Sequence, residues 1–208
     1  MLVKRLLLYL TIAICFVLIA IPAFSANPTP PRNTLVFTKV FEKIADNSWS
    51  NLEFPKNIQP AGLYYMELSE LNGTVGCWGS KKDPYPDGPN KEVLTAWKDD
   101  DPEEGGKADL RLQYRPTKLN NWLELIVVAP QGAIGDTWNP FGLQNAKKTM
   151  GQTFLALDNF DGVGLQTPTW STANSGCTIT LYSAEGKKFS VESAGKLSAK
   201  WGELKAGF

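Results

Sequence analysis

Histidine is absent from all 208 residues, which excludes Ser-His-Asp and Cys-His nucleophile designs and every metal site built on imidazole. Cysteine occurs only three times, and a zinc site made from Cys77, Cys177 and carboxylates alone would be unusual. No metal site and no cofactor are therefore expected. An excess of either charge is also missing: 21 basic residues stand against 21 acidic ones, so the footprint of a nucleic-acid binder is not there. Beyond residue 26 no stretch holds a long 3.6-residue apolar period with caps, which leaves strands as the element that can build a core.

What is present begins with an export signal. Lys4 and Arg5 supply positive charge, 6–21 is almost entirely apolar, and Pro22-Ala-Phe-Ser-Ala26 offers small residues to a peptidase, the pattern of a signal peptide over 1–26. Cleavage after Ser25 fits better than cleavage after Ala26, and the alternative is an uncleaved anchor, since the apolar run approaches the length of about 20 residues that spans a bilayer. Cleavage implies a secreted, periplasmic or cell-surface protein with no stable membrane insertion. It also removes two of the 21 basic residues, leaving 19 against 21 acidic. A Pro-rich spacer follows at 27–33, and 34–208 is read as one β-sandwich domain.

Short apolar runs rich in strand formers recur at 34–41, 52–54, 62–68, 74–78, 108–114, 122–128, 153–157, 162–166 and 177–182, separated by Gly, Pro, Asn and Asp clusters. Strands at that spacing predict an all-β fold, an antiparallel sandwich of jelly-roll type. The loop 80–89 carries four prolines or glycines between 84 and 89, and the acidic run 99–106 lacks the alternating ligand spacing of a calcium loop. Both read as solvated connections. Cleavage removes Cys15, so Cys77 and Cys177 remain, each beside an expected strand, and an even count in an exported chain leads to a disulfide; two buried thiols acting as small hydrophobes are the other outcome.

Catalysis finds little support. Paired carboxylates would be the remaining design, but Glu67 and Glu70 are three apart in a strand and point to opposite faces, so the chain is read as a non-enzyme. Aromatics are the positive signal, with seven Trp in the chain. A flat indole can stack on a sugar ring while neighbouring polar groups bond its hydroxyls. Tyr65 and Trp122, inside apolar runs, are expected in the core. Trp78 and Tyr85 beside the Pro-rich loop, and Trp138 and Trp170 beside Pro140 and Pro168, are candidates for exposure, and Asp87 is a candidate polar partner.

Gly151-Gln-Thr-Phe154, Phe160-Asp-Gly-Val-Gly164, Thr167-Pro-Thr-Trp170 and Ser175-Gly-Cys-Thr-Ile-Thr-Leu-Tyr182 resemble the first half of a β-sandwich module of the galactose-binding, carbohydrate-module type found beside secreted bacterial glycoside hydrolases. Asp46-Asn-Ser-Trp49, Gly62-Leu-Tyr-Tyr-Met-Glu-Leu-Ser69, Gly73-Thr-Val-Gly-Cys-Trp78 and Asp83-Pro-Tyr-Pro-Asp-Gly88 resemble its second half. The halves, 34–116 and 136–208, stand in reversed order, as in a circular permutation or in a chain that starts within one copy and stops within another. The resemblance implies a polysaccharide or glycan ligand held at Trp78, Tyr85, Asp87 and Trp170, and the cysteines in complementary halves support a bridge between Cys77 and Cys177. A structural or adhesive surface domain that contacts proteins is the alternative function.

Overall fold

A computed structural model describes residues 29–81, 94–103, 108–126, 139–143 and 148–184. Alternating or continuous apolar runs become strands: β1 (Thr34–Phe41), β2 (Ser48–Glu53), β3 (Gly62–Asn72), β4 (Val75–Ser80), β5 (Ala96–Lys98), β6 (Asp101–Pro102), β7 (Asp109–Leu110), β8 (Leu112–Pro116), β9 (Leu123–Ile126), β10 (Asn139–Leu143), β11 (Met150–Ala156), β12 (Phe160–Thr167) and β13 (Gly176–Ser183). The described residues contain no α-helix. Every pairing is antiparallel, in a six-stranded sheet ordered β1-β13-β3-β11-β5-β6, a four-stranded sheet ordered β2-β12-β8-β9 and a three-stranded sheet ordered β10-β4-β7. The fold is an all-β sandwich.

The order within the six-stranded sheet ties the two ends of the sequence together. β13 lies between β1 and β3, and Thr34 at the start of β1 pairs with Ser183 at the end of β13. Neither sequence half owns a sheet: β12 pairs with β2 on one side and β8 on the other. Burying one half's apolar faces therefore requires strands from the other.

Period-2 alternation sends Tyr64, Met66, Leu68, Phe154, Ile179 and Leu181 inward from the six-stranded sheet to meet Leu52, Leu112, Tyr114, Val163 and Leu165 from the four-stranded one, all of them buried. Phe160 is the hub, with ring centroids 4.9 Å from Tyr64, 5.8 Å from Phe54, 6.2 Å from Phe154 and 6.3 Å from Tyr114. Gln152 is buried among them yet satisfied: its Oε1 accepts the Leu110 N–H at 2.8 Å and its Nε2 donates to Asp109 Oδ1 at 2.8 Å, clipping β11 to β7. On edge strand β1, Lys39 faces the core side, with its ammonium over the Phe41 ring and donating to the Asn51 carbonyl of β2 at 3.2 Å. An inward-turned charge of this kind discourages another strand from adding to the edge.

The spacer does not stand clear of the domain throughout. Pro30 is buried, and Arg32 reaches the outward side of the six-stranded sheet, where its Nε donates to Glu67 Oε2 at 2.7 Å, its Nη2 reaches both Glu67 and Asp100, and its guanidinium lies over the Tyr65 ring. Tyr65 is fully buried as expected, but on this side, stacked with Tyr182 and donating its hydroxyl to Glu67 at 3.1 Å. The acidic run is likewise not all loop, since Asp101–Pro102 forms β6 and Asp99 accepts the Thr149 N–H.

The expected disulfide is corrected by the structure: Cys77 and Cys177 are both free thiols, buried at 0% and 2% exposure. Both belong to the apolar inter-sheet cluster, where burial pushes the Cys177 thiol up to about 12 and the Cys77 thiol higher still. Both side chains pack in that cluster as small hydrophobes. Protein beginning at residue 27 should show no thiol reactive toward a disulfide reagent while folded and two once unfolded without reductant. A count of zero after unfolding would restore the bridge.

Candidate functional site

The outward side of the four-stranded sheet is polar and aromatic. Outward positions fall on Trp49, Asn51 and Glu53 of β2, Gly162, Gly164 and Gln166 of β12, Gln113 and Arg115 of β8, Glu124 of β9, and the flanking Arg111 and Trp122, because their neighbours Leu52, Val163, Leu165, Leu112 and Tyr114 take the core side. A bulge between Phe160 and Val163 turns Asp161 to the same side. Cross-strand register sets Trp49 beside Gln166, and Asn51 beside Gly164 beside Gln113 beside Glu124.

These groups form a lattice of planar side chains. Arg111 grips Glu124 with two N–H donors, at 2.7 and 3.1 Å, and gives a third to Gln166 Oε1 at 2.8 Å, with its guanidinium 5.4 Å from the Trp49 ring centre. Arg115 donates to Asp161 at 2.6 Å and to Glu53 at 2.8 Å, 5.3 Å from the Trp122 ring centre. The hydrogen bond to Asp161 is the main cause holding Arg115 further above its ordinary range. Between the two arginines, Gln113 Nε2 donates to Asn51 Oδ1 at 2.8 Å. Each guanidinium is thus fixed on a ring face and on carboxylates, a preorganised arrangement.

Two glycines make the surface flat. A Cβ at Gly162 would come within 2.7 Å of Trp122 Cη2, and one at Gly164 within 2.0 Å of Asn51 Oδ1. The indole and the amide pair lie where side chains of the central strand would otherwise stand.

The surface continues onto β4, because the Arg111 N–H donates to the Trp78 carbonyl and the Gly76 N–H to the Pro168 carbonyl. Asn47 is the joint: its Oδ1 accepts Trp78 Nε1 at 2.7 Å and its carbonyl accepts Gln166 Nε2 at 3.1 Å. Trp170, 45% exposed, rests against Gly76, where an added Cβ would meet its Cη2 at 2.9 Å. Trp170 and Ser171 hold φ values of 50° and 59°, a left-handed pair that costs energy outside glycine. Asp46 offsets that cost by accepting the Thr169 N–H at 2.6 Å, and this bond above all holds its carboxyl below the usual range.

The structure thus brings Trp78 and Trp170 together on β4 and its neighbouring turn. Tyr85, Asp87 and Trp138, with the signal segment 1–26, lie outside the described residues. Trp122 is corrected: it is half-buried on the outward side, since it precedes β9 and register puts Leu123 rather than Trp122 opposite the inward Tyr114. Trp49, Arg111, Arg115, Asn51 and Gln113 were not singled out from sequence. Their signal was present in the alternation of Leu-Arg-Leu-Gln-Tyr-Arg over 110–115 and in the paired glycines of Phe160-Asp-Gly-Val-Gly164. No protein-family model matches the chain, and no curated protein matches it in sequence.

Proposed function

We propose that this chain is an exported, non-catalytic carbohydrate-binding domain of the galactose-binding-like type, with the outward side of the four-stranded sheet as its binding surface. The observation that carries the reading is the flat lattice in which Trp49 and Trp122 lie beside guanidinium and amide groups over Gly162 and Gly164. Indoles supply stacking surface, and the fixed polar groups supply hydrogen-bond direction without reorganisation. Trp78 and Trp170 extend this surface, and Tyr85 and Asp87 remain proposed contributors. The adjacency of Thr34 and Ser183 supports a permuted order of halves, since an ordinary hairpin could join these two ends.

Protein beginning at residue 27 should bind at least one polysaccharide on a glycan array. Trp49→Ala and Trp122→Ala should each weaken that binding by about 1–3 kcal/mol, the value of an apolar ring contact, with little change in melting. An array with no binding would reject the reading and favour the adhesive alternative, for which exposed Leu35 and Val40 on edge strand β1 would be the contact.

A further inference from the structure

Resting on that reading, we infer that the ligand is a neutral, hydroxyl-rich polysaccharide held in extended form across the lattice, and that acidic polysaccharides are selected against. Charge is the first argument. The two guanidinium groups on the surface, Arg111 and Arg115, face three carboxylates, Glu53, Glu124 and Asp161, each within ion-pair distance. A carboxylate or sulfate on a ligand would have to displace one of these partners and would meet the remaining two as like charges. Arginine here is a planar shelf beside an indole rather than an anion receptor.

Hydrogen-bond chemistry is the second argument. Gln113 is 7% exposed and spends its Nε2 on Asn51 Oδ1, while Gln113 Oε1 and Asn51 Nδ2 make no hydrogen bond among the described residues. The amide pair at the middle of the lattice therefore offers one acceptor in need of a donor and one donor in need of an acceptor. Sugar hydroxyls do both, so the pair calls for hydroxyl-bearing rings, and a carboxylate or sulfate seated on the pair itself would only accept and leave Gln113 Oε1 unsatisfied.

Reach is the third. Trp49 pairs with Gln166 of β12, and the tip of the Trp122 indole lies over Gly162 of the same strand, an offset of four residues, about 13 Å. That offset alone is longer than a single sugar ring.

The test uses protein beginning at residue 27 in affinity electrophoresis with neutral glucan, xylan and galactan against polygalacturonate and alginate, at low and high salt. Binding to a neutral polymer, unchanged by salt and at least tenfold stronger than to either acidic polymer, is expected. Gln113→Met should weaken it at least tenfold. If that variant fails to fold, Asn51→Ala, on the exposed side of the same pair, should show the same direction of loss. Stronger, salt-sensitive binding to an acidic polymer that falls with Arg111→Ala would overturn the inference and leave the carbohydrate reading standing. Neutral binding untouched at Gln113 and Asn51 would overturn the placement of the ligand on the amide pair. Failure to bind any polymer would remove the carbohydrate reading and this inference with it.

Discussion

Phe160→Ala should lower the stability of the domain by about 3–5 kcal/mol, the cost of deleting a fully buried phenyl ring, and its melting temperature by roughly 10 °C for a chain of this size. The ring is fully buried and joins both layers, touching Tyr64 and Phe154 of the six-stranded sheet, Tyr114 of the four-stranded sheet and Phe54 between them. Its neighbours are themselves rings locked edge-on against it, so they cannot collapse into the cavity without leaving their own contacts. The backbone at this point is fixed as well, since the Phe160 N–H donates to the Gln59 carbonyl and its carbonyl accepts the Gln59 N–H. Chemical denaturation of the variant beside the parent measures the effect. A loss below about 1 kcal/mol would mean that the two layers are not joined through this ring.

Gly151→Ala is expected to cost about 3 kcal/mol, the upper end for overpacking, while Gly162→Ala should cost far less stability and instead weaken glycan binding. The two glycines differ in what a methyl group would strike. At Gly151 it meets the Met66 carbonyl of β3 at 2.4 Å and the Tyr65 hydroxyl at 2.5 Å, and β11 is held between β3 and β5 with no room to shift. Moving Tyr65 also loosens its hydrogen bond to Glu67 and the seat of Arg32, leaving a buried carboxylate with fewer partners. At Gly162 the nearest atom is the tip of the Trp122 indole, 2.7 Å away, which can swing into solvent. Melting curves and polysaccharide affinity for the two variants separate these outcomes. Equal stability losses would show that Trp122 is fixed as firmly as the core.

That this chain folds as strands follows from its local residue pattern. Alternation and turn residues located β1, β3, β12 and β13 to within a few residues, because period-2 patterning between Gly, Pro and Asn clusters is a local property. Short strands with weak patterns, β5 at Ala96–Lys98 and β10 at Asn139–Leu143, were not legible, since they exist only through pairing with β11 and β4. The site divides in the same way. Trp170 could be placed on a turn from its neighbours Pro168 and Thr169, but alternation cannot say which side of a strand will be covered. That depends on register between strands far apart in sequence. Tertiary structure alone turned Trp122 outward over Gly162, set Arg111 and Arg115 against their rings, closed the outward side of the other sheet with Arg32, and kept Cys77 and Cys177 as thiols in an apolar core. Apart from the Arg115–Trp122 pair, these depend on residues far apart in the chain, and their energy arises only once the strands have paired and the layers have packed.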